Sequence, residues 1–336
     1  MRNRVIFGCS GLSLLPSERD FFREAQPWGF ILFGRNIGDR EQVRRLVADL
    51  REAVGGDPAP VLIDQEGGRV ARLKAPGWSS RPPQGVFGAL HGRVPDAARE
   101  AAYLNSRLIA FDLTELGVNV DCLPLLDVPA AGAHDIIGDR AFSNQPSVVI
   151  ELGRAVMEGL LDGGVLPVMK HIPGHGRAGA DTHLELPHVA ASADELSTGD
   201  FVPFRSLNTC PMAMTAHVVY DAIDPSRPAT ISPRVILKVI REEIGFEGLL
   251  MTDDLSMQAL SGSIAARTKA ALFAGCDVVL HCNGVSAEME AVMAEMKPLD
   301  GMALKRAEAA LGHLKGPGGF DCQAAESRLK ELLAAT

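Results

Sequence analysis

"GFILFGRNIGDREQVRRLVADLREAVGGDPAPVLIDQ", Gly29 to Gln65, holds a complete strand–helix–strand repeat. An apolar run stands at either end, GFILFGR and APVLIDQ, each short enough for one strand. Between them, DREQVRRLVADLREAV sets Val43, Leu46, Val47, Leu50 and Val54 on one stripe at helical spacing. GGDPAP, Gly55 to Pro60, leads into a strand instead of opening a helix, which gives dinucleotide binding little support.

The same unit recurs along the chain. RVIFGCS, VNVDCLPLLDV, VLPVMKH, PMAMTAH, GLLMTDD and CDVVLHCN join the two runs already named, making eight from Arg4 to Asn283. Helical patterns separate them, among them SPRVILKVIREEIG, with Ser232 as N-cap, Pro233 in the first turn and Gly245 as C-cap. Eight strands alternating with helices predict an α/β chain folded as a (β/α)8 TIM-like barrel. The alternative is an open doubly wound sheet, but no G-x-G-x-x-G follows the first strand. A single domain over residues 1–336 is expected, with the segment from about 285 to 336 forming closing helices and leaving no room for a second catalytic domain.

A barrel predicts polar residues where its strands end, because active sites gather at that face. Here the run ends carry Arg35 and Asn36, Asp64 with Glu66, Asp127, Lys170 with His171, His217, Asp253 with Asp254, and His281 with Asn283. Any one of these reads as an ordinary loop start. Recurring at nearly every run, they read as one site. Asp127, His217, His281 and Asn283 match no motif and are expected to support their neighbours.

Composition narrows the function. The 336 residues carry a formal charge of -9 without a Lys/Arg block, which argues against nucleic acid or an anionic membrane as partner. No apolar run reaches the roughly 18 residues of a membrane span. At the N-terminus, Cys9, Ser10 and Gly11 interrupt the apolar run too early for a signal peptide. The six cysteines are dispersed, with no C-x-x-C pair, as expected of buried thiols in a reducing cytoplasm.

MKHIPGHGRAGADTHLELP, Met169 to Pro187, concentrates proton-handling groups on a glycine-rich segment. His171, His175 and His183 with Asp253 would be the donors of a metal site, but neither H-x-H nor H-E-x-x-H occurs and no metal is expected. Lys170, at a strand end, would serve a Schiff-base lyase or aldolase if burial lowered its pKa. The third chemistry is acid–base work at a glycosidic bond. Asp253 would be the carboxylate delivered by a rigid strand, with Asp254 turned the other way by strand alternation. In Asp181-Thr182-His183 the spacing lets a carboxylate accept from an imidazole and raise its pKa toward working pH.

Together, IDQEGGRVARL (Ile63 to Leu73), IGDRAF (Ile137 to Phe142), KHIPGHG (Lys170 to Gly176), DTH (Asp181 to His183) and TDDLSM (Thr252 to Met257) resemble glycoside hydrolase family 3. They are most similar to its single-domain bacterial cytoplasmic β-N-acetylglucosaminidases. The resemblance implies a (β/α)8 barrel that retains anomeric configuration through a covalent glycosyl-enzyme. It implies Asp253 as nucleophile, His183 as acid/base assisted by Asp181, and sugar contacts from Asp64, Arg72, Arg140, Lys170 and His171. Two-domain relatives draw their acid from the extra domain, so here the donor is expected from the barrel's own loop. Substrate assistance through the Asp253–Asp254 pair is the competing mechanism, disfavoured because alternate residues of a strand face opposite ways. The implied substrate is a muropeptide with terminal β-linked N-acetylglucosamine on anhydro-N-acetylmuramic acid. No cofactor is implied, and a cytoplasmic monomer is expected.

Overall fold

The computed structural model of the chain describes residues 1–56, 59–130, 137–179 and 186–334. Ten strands run through it: β1 (Asn3–Gly8), β2 (Pro27–Leu32), β3 (Val61–Ile63), β4 (Val120–Asp121), β5 (Leu166–Ile172), β6 (His188–Val189), β7 (Met212–Thr215), β8 (Val219–Tyr220), β9 (Leu249–Asp254) and β10 (Val278–His281). Eight of them close a parallel barrel in the order β1-β10-β9-β7-β5-β4-β3-β2. Each of the eight apolar runs in the sequence supplies one barrel strand. β6 and β8 form a separate parallel pair beside the mouth, in register His188 to Val219 and Val189 to Tyr220. Two residues each, they are too short to give a period in the sequence.

Strand alternation sorts the apolar side chains into two cores. Ile6, Leu62, Val120, Val168, Met212, Met214, Leu249, Met251 and Leu280 fill the barrel interior. Their neighbours Val5, Phe7, Val61, Ile63, Met169, Ala213, Leu250 and Val279 face the helices. Helix Arg40–Ala53 shows how the outer layer is specified. Asp39 caps it, its Oδ1 accepting from the Gln42 N–H at 2.8 Å, and Val43, Leu46, Val47 and Leu50 are buried. Full burial of such a side chain contributes about 2 kcal/mol. Ser232 likewise accepts from the Val235 N–H at 3.1 Å ahead of the helix between β7 and β9, which is wound in π form over Val235–Glu243.

After the last barrel strand, Ser286–Met293 completes the outer ring. Helix Gly301–Leu311 turns under the barrel and presses Ala303, Ala307 and Ala310 onto the interior core beside Trp28. The small face at i, i+4, i+7 lets its backbone approach closely. Leu299 N–H donates to the Arg2 carbonyl at 2.8 Å, placing this floor at the N-terminal ends of the strands. Helix Cys322–Ala334 lies instead on Pro95–Glu115, where Arg328 forks onto Glu100 at 2.7 and 2.9 Å. Among the described residues no helix is long and apolar enough to cross a membrane.

Candidate active site

Inward parity continues past the apolar layers, so the last inward residue of several strands reaches the mouth. Leu62 is followed by Asp64, Val168 by Lys170, and Met251 by Asp253. On β5 the pairing with β7 skips a residue between Lys170 and Ile172, so that His171 joins Lys170 at the mouth. There the strand ends surround a cavity of about 540 Å³. Its wall includes Asp64, Arg72, Arg140, Lys170, His171 and Asp253, six of the residues expected from sequence. Asp181 and His183, the expected acid/base pair, lie outside the described residues.

A network of buried charge forms one side. Lys170 Nζ donates to Asp64 Oδ1 at 2.9 Å and contacts Glu66 Oε1 at 2.6 Å. Arg72 reaches Asp64 Oδ2 at 3.0 Å and lies over the Phe33 ring, 4.9 Å from its centre. Arg140 grips Glu66 with two bonds, 2.9 and 2.8 Å. Glu66, whose side chain is 2% exposed, is the hub that sequence reasoning left without a role. Burial opposes ionisation of Asp64, but Lys170 and Arg72 outweigh it and hold the carboxyl well below its ordinary range. Glu66 is brought down to about 2 in the same way, burial being overcome by Lys170 and Arg140.

These contacts correct the Schiff-base reading of Lys170. Burial favours the neutral amine, yet Asp64 and Glu66 overcome it and raise the pKa above the ordinary lysine value. A permanent ammonium between two carboxylates donates hydrogen bonds and does not attack a carbonyl.

His171 is aimed from behind by Asp127. Asp127 Oδ2 meets its Nδ1 at 2.8 Å, while Oδ1 accepts from the backbone N–H of His171 at 3.2 Å and of His175 at 2.6 Å. His175 also lines the cavity, 5.5 Å from His171 between ring centres. Burial and the charge of His171 push its pKa down to about 4, so it is neutral near pH 7. Beyond it, Tyr220 donates to the Gly174 carbonyl at 2.6 Å and Arg177 pairs with Asp200 at 2.6 Å, anchoring the chain up to residue 179.

Asp253 stands half-buried on the inner face of β9. Its Oδ1 accepts from the Asp254 N–H at 2.8 Å; Oδ2 has no hydrogen-bond partner among the described residues. Burial resists its ionisation, but the neighbouring imidazoles, the Asp254 N–H and Lys170 together lower its pKa. Asp254, expected to turn away, borders the cavity as well. Its carboxylate is nonetheless spent on the turn, accepting from Ser256 N at 3.0 Å, Ser256 Oγ at 2.6 Å and Cys282 N at 3.1 Å. His217 is fully buried and outside the cavity wall. His281 Nε2 and Asn283 Nδ2 both meet Glu288 Oε2, at 2.9 and 2.7 Å, fastening the turn after β10. Among the described residues no group of three or more His, Cys, Asp or Glu is arranged to hold a metal ion.

Asp121 behaves oppositely to the other acids. It is buried at the end of β4, with Oδ1 accepting from Gln65 N–H at 2.9 Å and Oδ2 without a partner among the described residues. Burial, reinforced by Asp64 and Glu66, raises its pKa to about 7. A raised folded-state pKa adds stability below the unfolded value of 3.8 that is lost as pH climbs through about 7. That loss builds from pH 3.8 upward, so Asp121→Asn is expected to raise Tm by much more at pH 8 than at pH 4, by scanning calorimetry.

A tethered carboxylate among fixed donors and acceptors at a barrel mouth suits chemistry at a glycosidic bond. Residues 17–314 match the family described as Glycosyl hydrolase family 3 N terminal domain, and the chain belongs to this family. A β-hexosaminidase of Alkalilimnicola ehrlichii is 41% identical over 283 residues, covering 83% of this chain and 80% of that protein. Native NagZ of Neisseria gonorrhoeae superposes with a TM-score of 0.88 at 31% identity, over 99% of this chain and 98% of that one. The same neighbour in complex with N-trifluoroacetyl-D-glucosamine gives a TM-score of 0.89.

Proposed function

We propose that this chain is a retaining exo-β-N-acetylglucosaminidase of the cytoplasm, removing terminal β-linked N-acetylglucosamine from muropeptides of the N-acetylglucosaminyl-anhydro-N-acetylmuramic acid type. The observation that carries the reading is Asp253, ionised and held by one oxygen, with the other open to the cavity. Similarity to β-hexosaminidases and to a neighbour complexed with a glucosamine derivative supports the sugar.

In this reading Asp253 Oδ2 attacks the anomeric carbon as the bond to the aglycone oxygen breaks, and His183 gives that oxygen its proton. Water then attacks the same carbon, returns a proton to His183, and releases the Asp253 carboxylate. Asp181 orients the imidazole. Asp64, Arg72, Arg140, Lys170 and His171 hold hydroxyl and acetamido groups. Since Asp64 is already engaged by two cations, it presents a fixed, permanently charged acceptor to the sugar.

Hydrolysis of an aryl β-N-acetylglucosaminide, followed by proton NMR, is expected to give the β-anomer first. The α-anomer first would overturn the double-displacement route.

A further inference from the structure

We infer that His217 is a positioning residue that aims Asp253 through the backbone of Asp254. The inference rests on Asp253 being the nucleophile. Three side chains make a chain of hydrogen bonds behind β9: Thr215 Oγ1 to Thr230 Oγ1 at 2.8 Å, Thr230 Oγ1 to His217 Nδ1 at 2.7 Å, and His217 Nε2 to the Asp254 carbonyl at 3.0 Å.

Chemistry gives each bond its direction. A carbonyl only accepts, so Nε2 carries the proton. Burial lowers the pKa of His217, making it a neutral imidazole whose Nδ1 must accept. Thr230 stands between two acceptors, Nδ1 at 2.7 Å and the Ala216 carbonyl at 3.1 Å, so its single proton is shared between them with Nδ1 the nearer, and Thr215 donates to Thr230. With its carbonyl held by His217 and its carboxylate by Ser256 and Cys282, Asp254 has no freedom to turn. Its N–H is the group that ties Asp253 Oδ1 and leaves Oδ2 facing the sugar. Thr230 and His217 are fully buried and neither lines the cavity, so the effect falls on the reaction and not on substrate binding.

Two substitutions at His217 separate this role from packing. In His217→Gln the amide nitrogen stands where imidazole Nε2 stood and still donates to Asp254, so kcat is expected within about threefold of wild type. In His217→Asn the amide reaches only the Nδ1 position, and kcat is expected to fall about 30-fold with KM within about twofold, a displaced reacting atom costing up to ~100-fold. Equal losses in both variants, or a loss carried by KM, would overturn the assignment. Thr230→Val reads the chain from its other end and covers a His217→Asn that does not fold: a drop in kcat at constant KM supports the relay, and unchanged kcat overturns it. Inactivation by a fluorinated N-acetylglucosaminyl fluoride separates the two readings. Label on a residue other than Asp253 in the wild-type protein removes the nucleophile assignment. Label on Asp253 arriving as fast in His217→Asn as in wild type removes only the role of His217.

Discussion

Asp253→Ala is expected to lower kcat/KM on an aryl β-N-acetylglucosaminide by about 10⁵-fold, the scale seen when a covalent nucleophile is removed. Folding should survive, because the lost carboxylate has one hydrogen bond, to its neighbour's N–H, and borders an open cavity. Far-ultraviolet dichroism and Tm check that part. Azide supplies the sharper readout. In a cavity vacated by the side chain, azide attacks the anomeric carbon from the face Asp253 used, the aglycone leaves, and the product is the α-glycosyl azide. If Asp253 were the general base or acid instead, azide would enter from the other face and give the β-azide. Full activity in the variant would take Asp253 out of the reaction altogether.

The second large effect is expected at Glu66. Glu66→Gln keeps the shape of the side chain and removes the charge that Arg140 grips at 2.9 and 2.8 Å and Lys170 meets at 2.6 Å. Removing one partner of a buried ion pair strands the other, at a cost of about 3 kcal/mol or more. Urea denaturation at pH 7 should show that loss, along with reduced kcat/KM as Arg140 loses its anchor. The pH dependence has a definite sign. Glu66 titrates near 2 in the folded chain against 4.5 ordinarily, so its contribution is present above pH 4.5 and is lost as pH falls toward 2. The gap between wild type and variant should accordingly narrow from pH 5 to pH 3. A gap that stayed constant would mean that packing, and not charge, is what Glu66 provides.

Much of this architecture could be read from residue order alone. The eight apolar runs are long enough to signal strands, and parity along GLLMTDD and VLPVMKH already points Asp253 and Lys170 into the barrel. Lys170 and Asp64 were legible as site residues because multi-residue motifs contain them. Several features escaped that reading. Glu66 sits in the same motif as Asp64, but nothing in spacing says that it, buried, binds two cations, one from a strand and one from a turn, both far away in sequence. His175 and the Asp127–His171 contact depend on the loops after two different strands meeting, which periodicity does not encode. Asp254 was expected to face away by alternation; the strand ends at that residue, alternation lapses, and its oxygens are consumed by the turn instead. The short pair of β6 and β8 had no chance of showing a period.

The helix packed under the strands by Ala303, Ala307 and Ala310 has a kinetic meaning as well as a structural one. Together with the side chains that fill the barrel interior, it leaves no channel through the barrel, so the site at the mouth opens to one side only. Whatever sugar descends to Asp253 must depart by the way it came, after the leaving group above it has cleared. The order of exit is thereby fixed, and a long polysaccharide strand has no route for threading through from end to end.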